Sequence, residues 1–116
     1  MRILLIEDDK NFGLIMKNEL EAENHRVRLA TDGVEGVLSF INGEYDLVLL
    51  DLRMPRLAGA DALRIIKQLN PSVPAIAFSA NAGPWEMQET LSAGARRCLR
   101  KPFEVAQLKR EIAQCQ

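Results

Sequence analysis

Short apolar runs alternate along this chain with stretches in which apolar residues return every three or four positions. Ile3-Leu4-Leu5-Ile6 and Leu47-Val48-Leu49-Leu50 are unbroken runs, as expected of strands covered on both faces. Pro74-Ala75-Ile76-Ala77-Phe78 predicts another strand, and Cys98-Leu99 a short one. Val27 and Leu29 alternate with Arg26 and Arg28, which places that strand at a half-exposed sheet edge. Helical spacing joins Phe12, Ile15, Met16 and Leu20, then Val34, Val37, Leu38 and Ile41, the latter closed by Asn42-Gly43. Leu63, Ile66 and Leu69 predict a helix ending before Pro71. A weaker helix surrounds Trp85, Met87 and Leu91, and a last one, from Glu104 to about Gln114, carries Val105, Leu108 and Ile112. Five strand–helix units with short connections imply a parallel sheet with helices on both faces and right-handed crossovers.

In such sheets ligands bind beyond the carboxyl ends of the strands, so those positions carry the candidate chemistry. Glu7, Asp8 and Asp9 follow the first strand, Asp51 the third, Ser79 the fourth, and Lys101 with Pro102 the fifth. Asp9 is assigned to capping the first helix, where a short carboxylate satisfies free amide groups. The remaining acids would repel one another unless a proton or a cation settles them. A small oxygen-only set suits a hard ion such as Mg²⁺, which keeps waters and shares phosphate oxygens. Lys101 and Ser79 then complete a pocket for a phosphoryl group, by charge and by hydrogen bond.

Composition narrows the setting. The 116 residues are 47 % hydrophobic and 27 % charged, one globular domain rather than a disordered chain. Fifteen basic against sixteen acidic side chains leave a net charge of −1, which argues against direct nucleic-acid or membrane-surface binding. No apolar run approaches a membrane span, and the first residues lack a signal-peptide pattern. The expected compartment is therefore the cytoplasm. Cys98 and Cys115 have no metal-ligand spacing and suggest no disulfide framework.

Four stretches together resemble the receiver domain of bacterial two-component response regulators. They are Glu7-Asp8-Asp9, the segment Asp51-Leu52-Arg53-Met54-Pro55-Arg56-Leu57-Ala58-Gly59, the pair Ser79-Ala80, and the segment from Gly94 through Lys101-Pro102 to Phe103. The resemblance covers residues 1–116 as one domain and implies a doubly wound, flavodoxin-like α/β sheet in the order 2-1-3-4-5. It implies that Asp51 accepts a phosphoryl group. Asp8 and Asp51 would ligate Mg²⁺, or Mn²⁺ in its place, with the backbone carbonyl of Arg53, and Glu7 would reach the ion mainly through water. Ser79 would be the switch hydroxyl, and Lys101 would contact the phosphoryl group, aimed inward by a cis bond before Pro102. The implied donor is a histidine kinase or histidine phosphotransfer protein. The implied output is an effector bound at the face of helix four, strand five and helix five, or a homodimer formed on phosphorylation. Such a domain catalyses its own phosphorylation and dephosphorylation and is not a turnover enzyme. With no effector within 116 residues, its output is expected to be a change in binding, or to lie elsewhere.

The chain departs from the family pattern at Cys98, where receivers commonly carry an aromatic residue whose ring reports phosphorylation. Coupling is therefore expected through Ser79 and the backbone, with Cys98 as a small packing residue. Arg53 and Asn81 stand where side chains flank the phosphoryl group; Arg53 is expected to pair with a phosphoryl oxygen or, without metal, with Glu7 or Asp8, or else to stand in solvent. The stretch Asn81-Ala82-Gly83-Pro84 and the weak helix beyond it suggest mobility, with Trp85 either a half-buried anchor or a partner contact. His25 is expected at the surface and is no phosphohistidine candidate. Among other functions, a flavin-phosphate carrier would need a glycine- and hydroxyl-rich loop where Glu7-Asp8-Asp9 stands. A hydrolase with an aspartyl-phosphate intermediate would place a second acid where Arg53 stands. A degenerate receiver serving only as a binding module fits poorly with Asp8, Asp51, Ser79 and Lys101 all present.

Overall fold

The computed structural model describes residues 1–54, 56–80 and 83–116. Its elements run β1 Arg2–Ile6, α1 Lys10–Glu21, β2 Arg26–Ala30, α2 Gly33–Ile41, β3 Leu47–Asp51, α3 Gly59–Leu69, β4 Ala75–Ser79, α4 Pro84–Ser92, β5 Arg97–Arg100 and α5 Val105–Ala113. All strand pairs are parallel and the order is β2-β1-β3-β4-β5. The doubly wound α/β fold expected from the sequence is therefore observed. Among the described residues, no helix is long and apolar enough to cross a membrane.

Successive side chains of a strand point to opposite faces, which divides the core in two. Leu4, Ile6, Val48 and Leu50 pack with Ala62, Leu63 and Ile66 of α3, with Val37 and Phe40 of α2 alongside. Ile3, Leu5, Leu47 and Leu49 pack with Met16 and Leu20 of α1 and Leu108 and Ile112 of α5. The central strands are apolar at consecutive positions because both faces are covered. On β2, Arg26 and Arg28 are exposed while Val27 is buried, as the alternation predicts for an edge. Asp9 caps α1, accepting from the amides of Asn11 and Phe12 at 3.1 and 3.2 Å.

Helix α2 is turned from the face its apolar spacing predicts. Leu38 and Ile41 are 54 % and 57 % exposed, whereas Gly33, Gly36 and Ser39 are buried. The helix lies too close to its neighbours for larger residues. A Cβ at Gly33 would stand 2.3 Å from the backbone oxygen of Leu57, and one at Gly36 would stand 2.5 Å from Ile6 Cδ1. Ile15 and Leu69 are likewise exposed, and on α4 the buried residue is Thr90, with Trp85 76 % exposed. Trp85 is therefore not a buried anchor. Asp51 and Ser79 are the last residues of their strands rather than the residues after them.

The phase of α2 predicts an inverted mutational pattern. Gly33→Ala should cost about 2 kcal/mol by overpacking, and Leu38→Ala less than about 0.5 kcal/mol as an exposed change. Urea unfolding of the two variants would measure this, and a larger loss for Leu38→Ala would contradict the packing.

Candidate functional site

The sheet order reverses at β1, which has β2 on one side and β3 on the other, so the crevice beyond β1 and β3 is the topological switch point. Glu7 enters it directly after β1, its amide still bonded to the Ala30 carbonyl at 2.9 Å. Its side chain is fully buried. Asp51, at the end of β3, is also buried, and Asp8 is exposed at the mouth. One carboxylate oxygen from each of Glu7, Asp8 and Asp51 lies within 4.8 Å of the others.

Lys101 is the cation between them. Its Nζ donates to Glu7 Oε1 at 2.7 Å and to Asp51 Oδ2 at 3.3 Å. The backbone brings it there from β5, with the Lys101 amide donating to the Ser79 carbonyl at 2.9 Å. The Lys101–Pro102 bond is cis, as the resemblance implied. Three phenylalanines seat the side chain. The ammonium lies 4.5 Å from the ring centre of Phe12 and 5.3 Å from that of Phe78, and Phe103 packs against both rings. Negative ring faces attract a cation and leave it partly desolvated. The sequence placed Phe12 and Phe78 in core elements, and their part in seating Lys101 emerges only from the packing.

The remaining oxygens are also committed. Asp51 Oδ1 accepts from the Arg53 amide at 3.2 Å, and Glu7 Oε2 from the Asp9 amide at 3.3 Å. Burial, with Asp51 close by, pushes the Glu7 carboxyl from 4.5 up to about 7, against the pull of Lys101. For Lys101, burial works downward, but the Glu7 and Asp51 carboxylates outweigh it and hold the ammonium above its ordinary range. One ammonium thus pairs with two of the three acids, Glu7 and Asp51. The donor set is oxygen only, with one side open, and it fits a hard divalent ion.

Two side chains have a partner that the sequence did not indicate. Ser79 is buried, and its Oγ donates to Glu86 Oε1 of α4 at 3.0 Å. Arg53 reaches neither Glu7 nor Asp8; its Nη2 lies 3.9 Å from the other Glu86 oxygen. Glu86 was not singled out in the sequence, where it is one more acid on a weak helix. Cys98 packs in the core beside Ala77 and Thr90, and burial pushes its thiol up. Arg56 adopts a left-handed φ of 70° and pairs with Asp32, the N-cap of α2, at 3.1 Å. That conformation carries a steric cost for a non-glycine residue, and the ion pair joins the segment after β3 to α2. His25 precedes β2 at the opposite edge of the strands. Asn81 and Ala82, and Pro55 of the Asp51 segment, lie outside the described residues.

Comparison with known proteins identifies the family of this chain. The sequence model described as response regulator receiver domain matches residues 3–113. The response regulator ArlR of Staphylococcus saprophyticus is 34 % identical over 111 residues, which is 96 % of this chain and 50 % of ArlR. The sensor protein EvgS of Escherichia coli is 32 % identical over 114 residues, 98 % of this chain and 10 % of EvgS. Among solved structures, the receiver domain of the sensor histidine kinase PA1611 from Pseudomonas aeruginosa, with magnesium coordinated in its active site cleft, is 36 % identical. It has a TM-score of 0.89 and covers 97 % of this chain and 94 % of its own. TrrA from Thermotoga maritima, in complex with Mg²⁺ and beryllofluoride, is 28 % identical with a TM-score of 0.90, covering 99 % of this chain and 98 % of its own. This chain belongs to the response regulator receiver domain family. Receiver domains serve phosphorylation-based two-component signalling and interact with histidine kinases and effectors. The chain spans about half the length of the response regulators it matches.

The Glu7 environment sets a pH dependence. A carboxyl whose folded value is raised stabilises the fold fully below its ordinary value of 4.5 and loses that contribution as pH rises through about 7. In EDTA, the urea midpoint should therefore fall between pH 5 and pH 8 more steeply in the wild type than in Glu7→Gln. Equal slopes would contradict the assignment.

Proposed function

We propose that this domain accepts a phosphoryl group on a carboxylate oxygen of Asp51 and later releases it to water. The observation that carries the reading is Asp51 itself, a buried carboxylate with one oxygen held by the Arg53 amide and the other by Lys101, on the rim it shares with Glu7 and Asp8. The donor is a phosphohistidine on a histidine kinase or histidine phosphotransfer protein. The P–N bond breaks as the new P–O bond forms, and the imidazole keeps the electron pair and takes up a proton. In the reverse half, water attacks phosphorus, the bond to Asp51 breaks, and inorganic phosphate leaves with the carboxylate restored. The domain is thus modified by its own chemistry and is no classical turnover enzyme.

Phosphoryl transfer asks a protein chiefly for positioning and for charge stabilisation. Glu7, Asp8, Asp51 and the Arg53 carbonyl would hold magnesium or manganese, Glu7 mainly through water. When bound, that ion supplies charge neutralisation to the oxygens around phosphorus. Lys101 holds Asp51 in place and neutralises a phosphoryl oxygen. Ser79 turns its hydroxyl to another. The change is read at the face made by α4, β5 and α5, by an effector or by a second phosphorylated copy. Nothing in the charge balance calls for direct contact of this chain with nucleic acid or membrane, and the cytoplasm is the proposed compartment.

Intact mass after incubation with acetyl phosphate and Mg²⁺ tests the reading. One phosphoryl group should be gained by the wild type and none by Asp51→Asn or by the wild type in EDTA. No gain in the wild type, or an equal gain in Asp51→Asn, would overturn it.

A further inference from the structure

Glu86 ties together the two side chains that flank the proposed acceptor. It lies in the first turn of α4, and its side chain is 26 % exposed. One oxygen takes the Ser79 hydrogen bond at 3.0 Å, and the other faces the Arg53 guanidinium at 3.9 Å. Its backbone carbonyl accepts from Thr90 Oγ1 at 2.8 Å, so the buried Thr90 fixes the turn that carries it. Ser79 comes from the end of β4 and Arg53 from the loop after β3. A single carboxylate on α4 therefore holds a hydroxyl and a guanidinium from two separate strand ends.

We propose that Glu86 is a latch that keeps this receiver in its unphosphorylated arrangement, acting as a positioning residue through Ser79 and Arg53. The proposal rests on the reading of Asp51 as phospho-acceptor. A hydroxyl has one proton to give, and the proton given to Glu86 is not given to a phosphoryl oxygen. An acyl phosphate carries about −1.5 to −2 charges where the Asp51 carboxylate carried one, a net gain of up to about one negative charge placed nearer Ser79 and Arg53. It therefore competes with Glu86 for the Ser79 hydroxyl and for the Arg53 guanidinium. When it wins, a largely buried carboxylate loses both partners and faces a new like charge, and the first turn of α4 moves away. The second tie of this helix, Arg64 to Glu89 at 3.5 Å, holds α4 against α3 one turn further on and confines the movement to the beginning of α4. Trp85 stands in that turn, exposed beside a groove lined by Leu52, Arg53 and Glu86. Cys98 offers no ring to transmit the change along β5, so the signal leaves the site through α4.

Trp85 is the only tryptophan in the sequence, so its fluorescence follows the turn directly. The full chain is titrated with beryllofluoride in saturating Mg²⁺. The half-saturating concentration should fall about tenfold in Glu86→Ala. It should fall less in Glu86→Gln, whose amide oxygen still accepts from Ser79. Removing a negative charge near an anion site would by itself tighten binding, so the same pair is compared in a Ser79→Ala background. There the gain from Glu86→Ala should shrink to about twofold or less, because coupled residues are non-additive. An equal gain in both backgrounds, or no gain in either, overturns the latch while leaving Asp51 as acceptor. A wild type that neither gains phosphoryl mass nor responds to beryllofluoride overturns the reading of Asp51 and the latch with it.

Discussion

Everything at the carboxyl edge of this sheet depends on Lys101 standing between Glu7 and Asp51. Two buried carboxylates a few ångströms apart, with Asp8 beside them, would raise one another's energy in a low-dielectric setting. The ammonium at 2.7 and 3.3 Å offsets that repulsion, and the Phe12, Phe78 and Phe103 rings hold it in position. The compensation is incomplete, since Glu7 still holds its proton up to about pH 7. A divalent ion bound here would displace that proton and offset the three acids more fully.

The fold supplies this arrangement through topology. Parallel strands put all their carboxyl ends on one side, and the reversal of order at β1 opens a crevice there. The close approach of α2, possible because Gly33 and Gly36 lack a Cβ, presses the helix onto Ile6 and Leu57. The Arg56–Asp32 pair fastens the loop after β3 to the same helix. On the other side, Ser79 and Arg53 are drawn toward Glu86 on α4. The site is thus packed or paired where it meets α1, α2 and β5, while its contacts with α4 run through the Glu86 carboxylate. Under the proposed latch, signal output would follow from that asymmetry.

The sheet and the rim were legible in the sequence because burial on both faces writes continuous apolar runs, and a charged residue ending such a run demands a partner. Asp51 after Leu47-Val48-Leu49-Leu50 is the clearest instance. The phase of α2 was not legible, because glycine carries no hydropathy signal and Leu38 and Ile41 mimic a core stripe on the exposed side. The aromatic seat of Lys101 was not legible either, as Phe12, Phe78 and Phe103 are far apart in sequence and each reads as ordinary core. Glu86 lies on a helix of weak periodicity, and only the geometry reveals its two partners. For Arg53 the sequence left open a partner in the acidic cluster or a place in solvent; the side chain is mostly exposed and turns toward Glu86, which its nearness to Asp51 in the chain could not show.

The cluster of Glu7, Asp8 and Asp51 could hold a divalent ion. Equilibrium urea unfolding over a series of Mg²⁺ concentrations tests it most directly. Binding to the folded state alone should raise stability with the logarithm of Mg²⁺, by about 2.7 kcal/mol at one hundred times the dissociation constant. The same series on Asp8→Ala, which removes a carboxylate of the cluster, should show little or none of this rise. A wild-type midpoint indifferent to Mg²⁺, or an equal rise in Asp8→Ala, would contradict the account.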